Sequence, residues 1–248
     1  LREFVISETG RIRTSNQDQV FADAEAGLWV VADGMGGHVG GARASALACE
    51  AVIEAVSHGM ALADAFEVAH SRVRTEQQAE PALSGMGTTL VAVHEKADRY
   101  EIAWVGDSRI YRFRGSSGKL TCLTRDQTVP GMLLQRGQIS AEQAKQHPQR
   151  HVLTDCIGQL HGLPSIETRA LTWQSGDRLL LCSDGLSGEV EDEEIARWFA
   201  TIENPRELAE KLVACALDHG GRDNVSLIVL DAPTDSGQPS RRLWRQLR

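Results

Sequence analysis

The chain has 248 residues, of which 42% are hydrophobic and 24% charged, a composition that supports a sizeable core and argues against intrinsic disorder. A net charge of −8 argues against non-specific nucleic-acid binding, which depends on neutralising phosphates with basic side chains. The five cysteines (Cys49, Cys122, Cys156, Cys182, Cys215) form no Cys-x-x-Cys pair and read as small buried hydrophobes in a reducing compartment rather than zinc ligands.

In chain order, residues 9–18 read as a polar turn leading to a short strand, and 27–33 as a buried strand. Residues 42–57, rich in Ala, Val and Ile, predict a buried helix, and 62–78 a more amphipathic one. Four segments, 88–93, 99–105, 110–114 and 119–123, then read as consecutive strands of an antiparallel meander, with Gly115-Ser116-Ser117-Gly118 as one of its turns. From 126 to 158 the pattern changes to short helical pieces, 129–136 and a helix capped by Ser140, and this insertion reads as a lid or flap. Strands return at 165–171 and 177–183. Helices follow at 192–200 and 204–219, the second with Asn204 as N-cap, Pro205 at its first position and Gly220 past its end. A strand at 224–231 closes the domain, and 233–248 is a polar, then basic tail that reads as flexible. Antiparallel strands with helices between and after them predict an α+β layered domain over residues 1–232. No apolar run approaches membrane-spanning length and no signal-peptide pattern opens the chain, so a cytoplasmic protein without a membrane span is expected.

Four aspartates stand at strand ends: Asp33 after Trp29-Val30-Val31-Ala32, Asp107 after Trp104-Val105-Gly106, Asp184 after Leu181-Cys182-Ser183, and Asp223 just before the apolar run 225–230. Aspartate is disfavoured within strands, so its repeated placement at their tips points to side chains aimed at one place. Gathered carboxylates repel unless a positive centre lies between them, and hard divalent cations with oxygen ligands meet that need. The run Asp33-Gly34-Met35-Gly36-Gly37-His38 fits neither the dinucleotide nor the P-loop spacing. Its glycines would let the backbone approach a ligand, with the Gly34 carbonyl joining Asp33, or would simply make a tight strand-to-helix turn.

Together, Asp33-Gly34-Met35-Gly36-Gly37, Gly85-Met86-Gly87-Thr88-Thr89, Gly106-Asp107-Ser108-Arg109, Ser183-Asp184-Gly185 and Asp223-Asn224, in this order, resemble the metal-dependent PP2C-type (PPM) serine/threonine protein phosphatases of compact bacterial type. The resemblance runs from about residue 9 to 230. It implies a four-layer α-β-β-α sandwich, two antiparallel sheets flanked by helices, with a helical flap near the site. It also implies two Mn²⁺ or Mg²⁺ ions with a possible third, and hydrolysis of phosphoserine and phosphothreonine by a metal-bridged water. Asp33 would bridge the ions with the Gly34 carbonyl on one of them, Asp184 and Asp223 would be further ligands, and Asp107 would hold the third cation with Asp184. Asp18 would hold metal-bound water and Arg13 would grip the substrate phosphate with its planar fork of donors.

Met35 stands where many eukaryotic relatives carry a histidine proposed as general acid, and His38 is the nearest candidate for that role, the alternatives being a metal-bound water as the acid and His38 as a loop residue facing solvent. Gln17 replaces a frequent Glu and Asp155 a frequent Arg, while Asn224 is expected to orient Asp223 or a water. Ser108, Thr88 and Thr89 are expected to be structural, and His147 and His151 to lie on the surface. Implied partners are phosphorylated proteins and a cognate Ser/Thr kinase, with no nucleic acid, and a monomer is expected. The competing readings are a phosphoprotein-binding module without turnover and a phosphatase of small phosphoesters.

Overall fold

The computed structural model describes residues 2–36, 38–96 and 99–232, with His38 described in its backbone alone. In chain order the strands are β1 (Arg2–Glu8), β2 (Asp18–Asp23), β3 (Leu28–Met35), β4 (Gly87–Thr88), β5 (Leu90–Lys96), β6 (Arg99–Val105), β7 (Arg109–Arg114), β8 (Lys119–Cys122), β9 (Glu167–Thr172), β10 (Asp177–Cys182) and β11 (Val225–Asp231). The helices are α1 (His38–Ser57), α2 (Leu62–Ala79), α3 (Val129–Gln135), α4 (Ala141–Lys145), α5 (Asp184–Ser187), α6 (Asp192–Thr201) and α7 (Pro205–Asp218). One sheet runs β1-β11-β10-β7-β8 and the other β2-β3-β5-β6-β9, with β4 paired to β3 off that path. The pairings are antiparallel.

The strands read as continuous apolar runs because both of their faces are covered. Along β3, Trp29 and Val31 point into the layer between the sheets, whereas Leu28, Val30 and Ala32 pack on α1 and α2. Along β10, Leu179 and Leu181 meet the facing sheet while Leu180 and Cys182 turn to α5, α6 and α7. The result is four layers: the α1–α2 pair, two sheets, and the α5–α7 group. Each buried Val, Leu or Ile in these layers contributes about 1.5–3 kcal/mol relative to leaving it exposed.

The expected meander is corrected in one respect. The β5–β6 and β7–β8 hairpins form as expected, but they belong to different sheets, and the chain crosses between them at residues 106–108. Trp104 before the crossing and Ile110 after it both enter the layer between the sheets, so burial of the apolar runs holds the two hairpins face to face. This crossing leaves Asp107 at the sandwich edge.

Two elements go beyond the sequence reading. β1 pairs with β11 along its whole length, and the predicted strand at 88–93 is broken into β4 and β5. Residues 126–158 carry α3, capped by the Thr128 side chain, and α4, whose Ser140 and Gln143 form a reciprocal capping box. The base of this insertion is closed by the Val129 and Thr154 N–H groups donating to the Val152 and Gln127 carbonyls at 2.9 and 2.8 Å. Its far end is fixed to the sandwich: Thr88 and Ile157 exchange backbone bonds, Gln77 Nε2 donates to the Gly158 carbonyl at 2.8 Å, and the Gly158 N–H donates to His70 Nδ1 at 3.1 Å. The buried polar residues of α2 thus hold the end of the insertion. The tail expected to be flexible, 233–248, lies outside the described residues.

Candidate metal and phosphate site

The antiparallel register brings the strand-end aspartates to one edge of the sandwich. Asp18, first residue of β2, is paired across the ladder with Asp33 in β3. At the facing edge of the other sheet, Cys182 pairs with both Arg109 and Leu227, so Asp107, Asp184 and Asp223 leave that sheet at the same end. Five carboxylates therefore come from both sheets to a common cleft.

Each is held by its backbone surroundings. The Asp33 N–H donates to Thr89 Oγ1 at 3.1 Å, and the Asp33 carbonyl accepts from the Thr89 N–H and the Thr88 hydroxyl, both at 2.9 Å. Thr89 Oγ1 in turn lies 2.7 Å from Ser108 Oγ, tying the Asp33 strand to the Asp107 crossing. Asp184 opens α5, and the next residue has no room for a side chain: a Cβ on Gly185 would lie 1.9 Å from the Asn224 carbonyl oxygen. That close approach sets Asp184 beside Asp223. Gly34 is equally confined, with the Gly41 and Gln17 carbonyl oxygens 2.2 and 2.6 Å from where its Cβ would stand, so α1 packs directly on the end of β3 just past Asp33.

Asn224 reaches further than its expected role. Its side-chain oxygen accepts from the Gln17 N–H at 2.9 Å, and its amide donates to the Thr9 and Ser15 carbonyls at 2.8 and 3.0 Å. It clamps the polar loop 9–17 onto the start of β11 and so delivers Arg13, whose Nη2 donates to Asp223 Oδ2 at 2.7 Å. Asp223 raises the Arg13 guanidinium above its ordinary value. Arg109, which the sequence reading leaves without a role, makes a two-pronged pair with Asp126 at 2.8 and 2.7 Å and donates to the Tyr111 hydroxyl at 2.8 Å, joining the Asp107 crossing to the base of the insertion.

The electrostatics are those of like charges crowded in a poorly solvated cleft. Burial, followed by the charges of Asp18, Asp184, Asp107 and Asp223, pushes the Asp33 carboxyl well above the usual carboxylate range. Asp107 is raised by burial and then by Asp184 and Asp126, with Arg109 opposing. Asp18 is pushed up to about 6 by burial, against the Ser226 and Ser183 hydroxyls, which favour its ionised form. As they stand, no three His, Cys, Asp or Glu side chains among the described residues are close enough to one centre to hold an ion.

The residues nonetheless fit a hard divalent cation. The facing donors are carboxylate oxygens, and Asp18 Oδ1 and Asp184 Oδ1 are buried with no hydrogen-bond partner among the described residues. Buried carboxylate oxygens left without a partner need a positive centre.

Of the residues predicted from sequence, Arg13, Asp18, Asp33, Gly34, Asp107, Asp184 and Asp223 meet at this cleft. His38 is the first residue of α1, and its side chain is outside the described residues. His151 is exposed as expected, but it also reaches the cleft, with Nδ1 3.8 Å from Asp184 Oδ2. Asp155 accepts from the Ser165 N–H at 2.8 Å and so ties down the segment after the insertion. No periodicity marks His151, because its placement depends on the path of the insertion.

Known proteins resemble the chain over most of its length. A family model described as protein phosphatase 2C matches residues 11–218. The serine/threonine protein phosphatase PstP of Mycobacterium tuberculosis is 39% identical over 241 residues, covering 93% of this chain and 45% of that protein, so the chain spans about half the length of that relative. The serine/threonine phosphatase stp of Listeria monocytogenes is 34% identical over 238 residues, with 91% of this chain and 93% of the relative covered. A solved structure of the catalytic domain of PstP in complex with two manganese ions matches with a TM-score of 0.80 at 35% identity, covering 93% of this chain and 97% of that one.

Proposed function

The chain belongs to the protein phosphatase 2C family, and on that premise we propose that it hydrolyses phosphoserine and phosphothreonine in proteins with divalent cations held at the carboxylate cleft. The observation that carries this reading is the convergence of Asp18, Asp33, Asp107, Asp184 and Asp223 with Arg13 at one sandwich edge. Asp33, the Gly34 carbonyl, Asp184 and Asp223 would hold two ions, Asp107 and Asp184 a third, and Asp18 a coordinated water. Mn²⁺ or Mg²⁺ bound there supplies a water of lowered pKa and offsets phosphoryl charge.

The chain's own residues do the rest. Arg13, half-exposed at the rim, presents a fork of donors matched to two phosphate oxygens; in moving from Asp223 to substrate it exchanges one anion for another. Asn224 fixes the loop that carries it, so the fork approaches from one side only. His38 is assigned the transfer of a proton to the leaving alkoxide. Segment 126–158 serves as a flap whose two ends are fixed while α3 and α4 lie between them. Substrates would be phosphoproteins made by a Ser/Thr kinase, and the enzyme would work as a monomer in the cytoplasm. The five free thiols support a reducing compartment, and no described helix is long and apolar enough to cross a membrane.

The test is phosphate release from a phosphothreonine peptide with Mn²⁺ and then with EDTA. Turnover that requires the ion is expected, and folded, metal-loaded protein without turnover would refute the assignment in favour of phosphoprotein binding.

A further inference from the structure

Resting on the phosphatase reading, we propose that Ile12, Val39 and Val152 form an apolar rim that seats apolar side chains flanking the phosphorylated residue of a protein substrate. Val39 and Ile12, 74% and 68% exposed, are the two most exposed large hydrophobic side chains among the described residues, and Val152 is 46% exposed. Their places in the chain are not scattered. Ile12 precedes Arg13, which binds Asp223, and Val152 follows His151, which lies 3.8 Å from Asp184. Val39 is the second residue of α1, the helix packed on the end of β3 just past Asp33 through the close approach of Gly41 to Gly34.

The segments of Ile12 and Val152 thus reach the carboxylates and that of Val39 packs beside Gly34, and each carries one uncovered apolar side chain. The loop of Ile12 is anchored by the Arg11 N–H donating to the Gly221 carbonyl at 2.8 Å, and the Val152 carbonyl accepts from Val129 at 2.9 Å. These side chains are therefore presented by backbone that is itself held. A phosphoprotein segment whose phosphoresidue reaches Arg13, half-exposed beside Asp223, would carry its neighbours against these apolar side chains. A small phosphoester fills only the centre and leaves the rim bare. Burial of apolar neighbours then adds affinity for the protein substrate without touching the reacting atoms.

The experiment compares a matched pair of phosphothreonine peptides, one with valine and leucine beside the phosphoresidue and one with serine and asparagine there, alongside p-nitrophenyl phosphate, all with Mn²⁺. Wild type and a triple variant, Ile12→Ser, Val39→Ser and Val152→Ser, are assayed, with Ile12→Ser and Val152→Ser also made singly. Since the side chains are exposed, folding should persist, and melting temperature checks this. Wild-type kcat/KM should favour the apolar peptide by about tenfold, carried by KM. The triple variant should lose that preference, each single variant part of it, and p-nitrophenyl phosphate turnover should stay within about twofold of wild type. Equal kcat/KM on both peptides would overturn the rim while leaving the phosphatase reading intact. Preference unchanged in the triple variant, or p-nitrophenyl phosphate turnover lost with it, would also overturn the rim. Self-association of wild type that the triple variant abolishes would assign the surface to a second copy of the chain instead. No hydrolysis of either peptide by folded, metal-loaded protein would overturn both proposals.

Discussion

Replacing Asp18 with asparagine isolates what the carboxylate cluster costs the metal-free fold. Asp18 is 6% exposed, accepts a 2.9 Å hydrogen bond from Ser183, and is pushed up to about 6 from an ordinary 3.8. At 1.36 kcal/mol per pKa unit, that rise corresponds to about 3 kcal/mol. Because the folded-state value exceeds the unfolded one, the favourable contribution is complete below about pH 3.8, is lost as pH rises through about 6, and changes little beyond. Between about pH 4.5 and pH 7 the wild type should lose about 2 kcal/mol relative to Asp18→Asn, which cannot ionise. Asparagine places an N–H₂ where Asp18 Oδ1 now lacks a partner, a cost of about 1–3 kcal/mol that does not vary with pH. The slope of the difference with pH, rather than its absolute value, is therefore the readout. Urea unfolding in EDTA, followed by the buried Trp29 and Trp104, supplies it. With saturating Mn²⁺ the difference should shift toward the wild type, which gains more from the ion than the variant does. A pH-independent difference in EDTA would show that Asp18 ionises as readily in the folded chain as in the unfolded one, and the crowded-carboxylate reasoning would fail.

Gly185→Ala should cost about 2 kcal/mol in urea unfolding and remove most phosphatase turnover, because its Cβ would meet the Asn224 carbonyl at 1.9 Å and displace Asp184. Asn224→Ala removes three hydrogen bonds to the loop 9–17 and should cost about 1–3 kcal/mol, with a rise in KM for phosphopeptide as Arg13 loses its fixed approach; an unchanged KM would separate the loop from phosphate binding. Arg109→Met leaves the Asp126 carboxylate unpaired and should destabilise by about 3 kcal/mol, whereas the double change with Asp126→Asn should recover most of that loss; additive losses in the double-mutant cycle would contradict the pairing.

The strand-end aspartates were legible in the sequence because an acidic residue closing an apolar run contradicts burial unless it serves a site. The helix caps were legible for a local reason as well: Ser140 and Asn204 satisfy N–H groups within three residues of themselves, as the structure has them. Long-range placement was not legible. β1 pairs with β11 across more than two hundred positions, and nothing within residues 2–8 announces that partner. The crossing at 106–108 looked like one more hairpin turn, because the choice of sheet is set by which faces Trp104 and Ile110 bury rather than by turn residues. The same limit applies to Asn224, whose clamp on Thr9, Ser15 and Gln17 exists only once β11 lies beside the N-terminal loop. His151 and Arg109 likewise take their positions from where the chain enters and leaves the insertion.

The most direct test of the central claim, that strand-end carboxylates from both sheets converge to hold divalent cations, is a manganese anomalous-difference map from crystals grown with Mn²⁺. The account predicts two peaks contacted by Asp33, with Asp184 and Asp223 among their ligands, and loss of at least one peak in Asp184→Asn. An empty cleft in wild-type crystals at saturating Mn²⁺, or manganese bound only elsewhere on the surface, would contradict it.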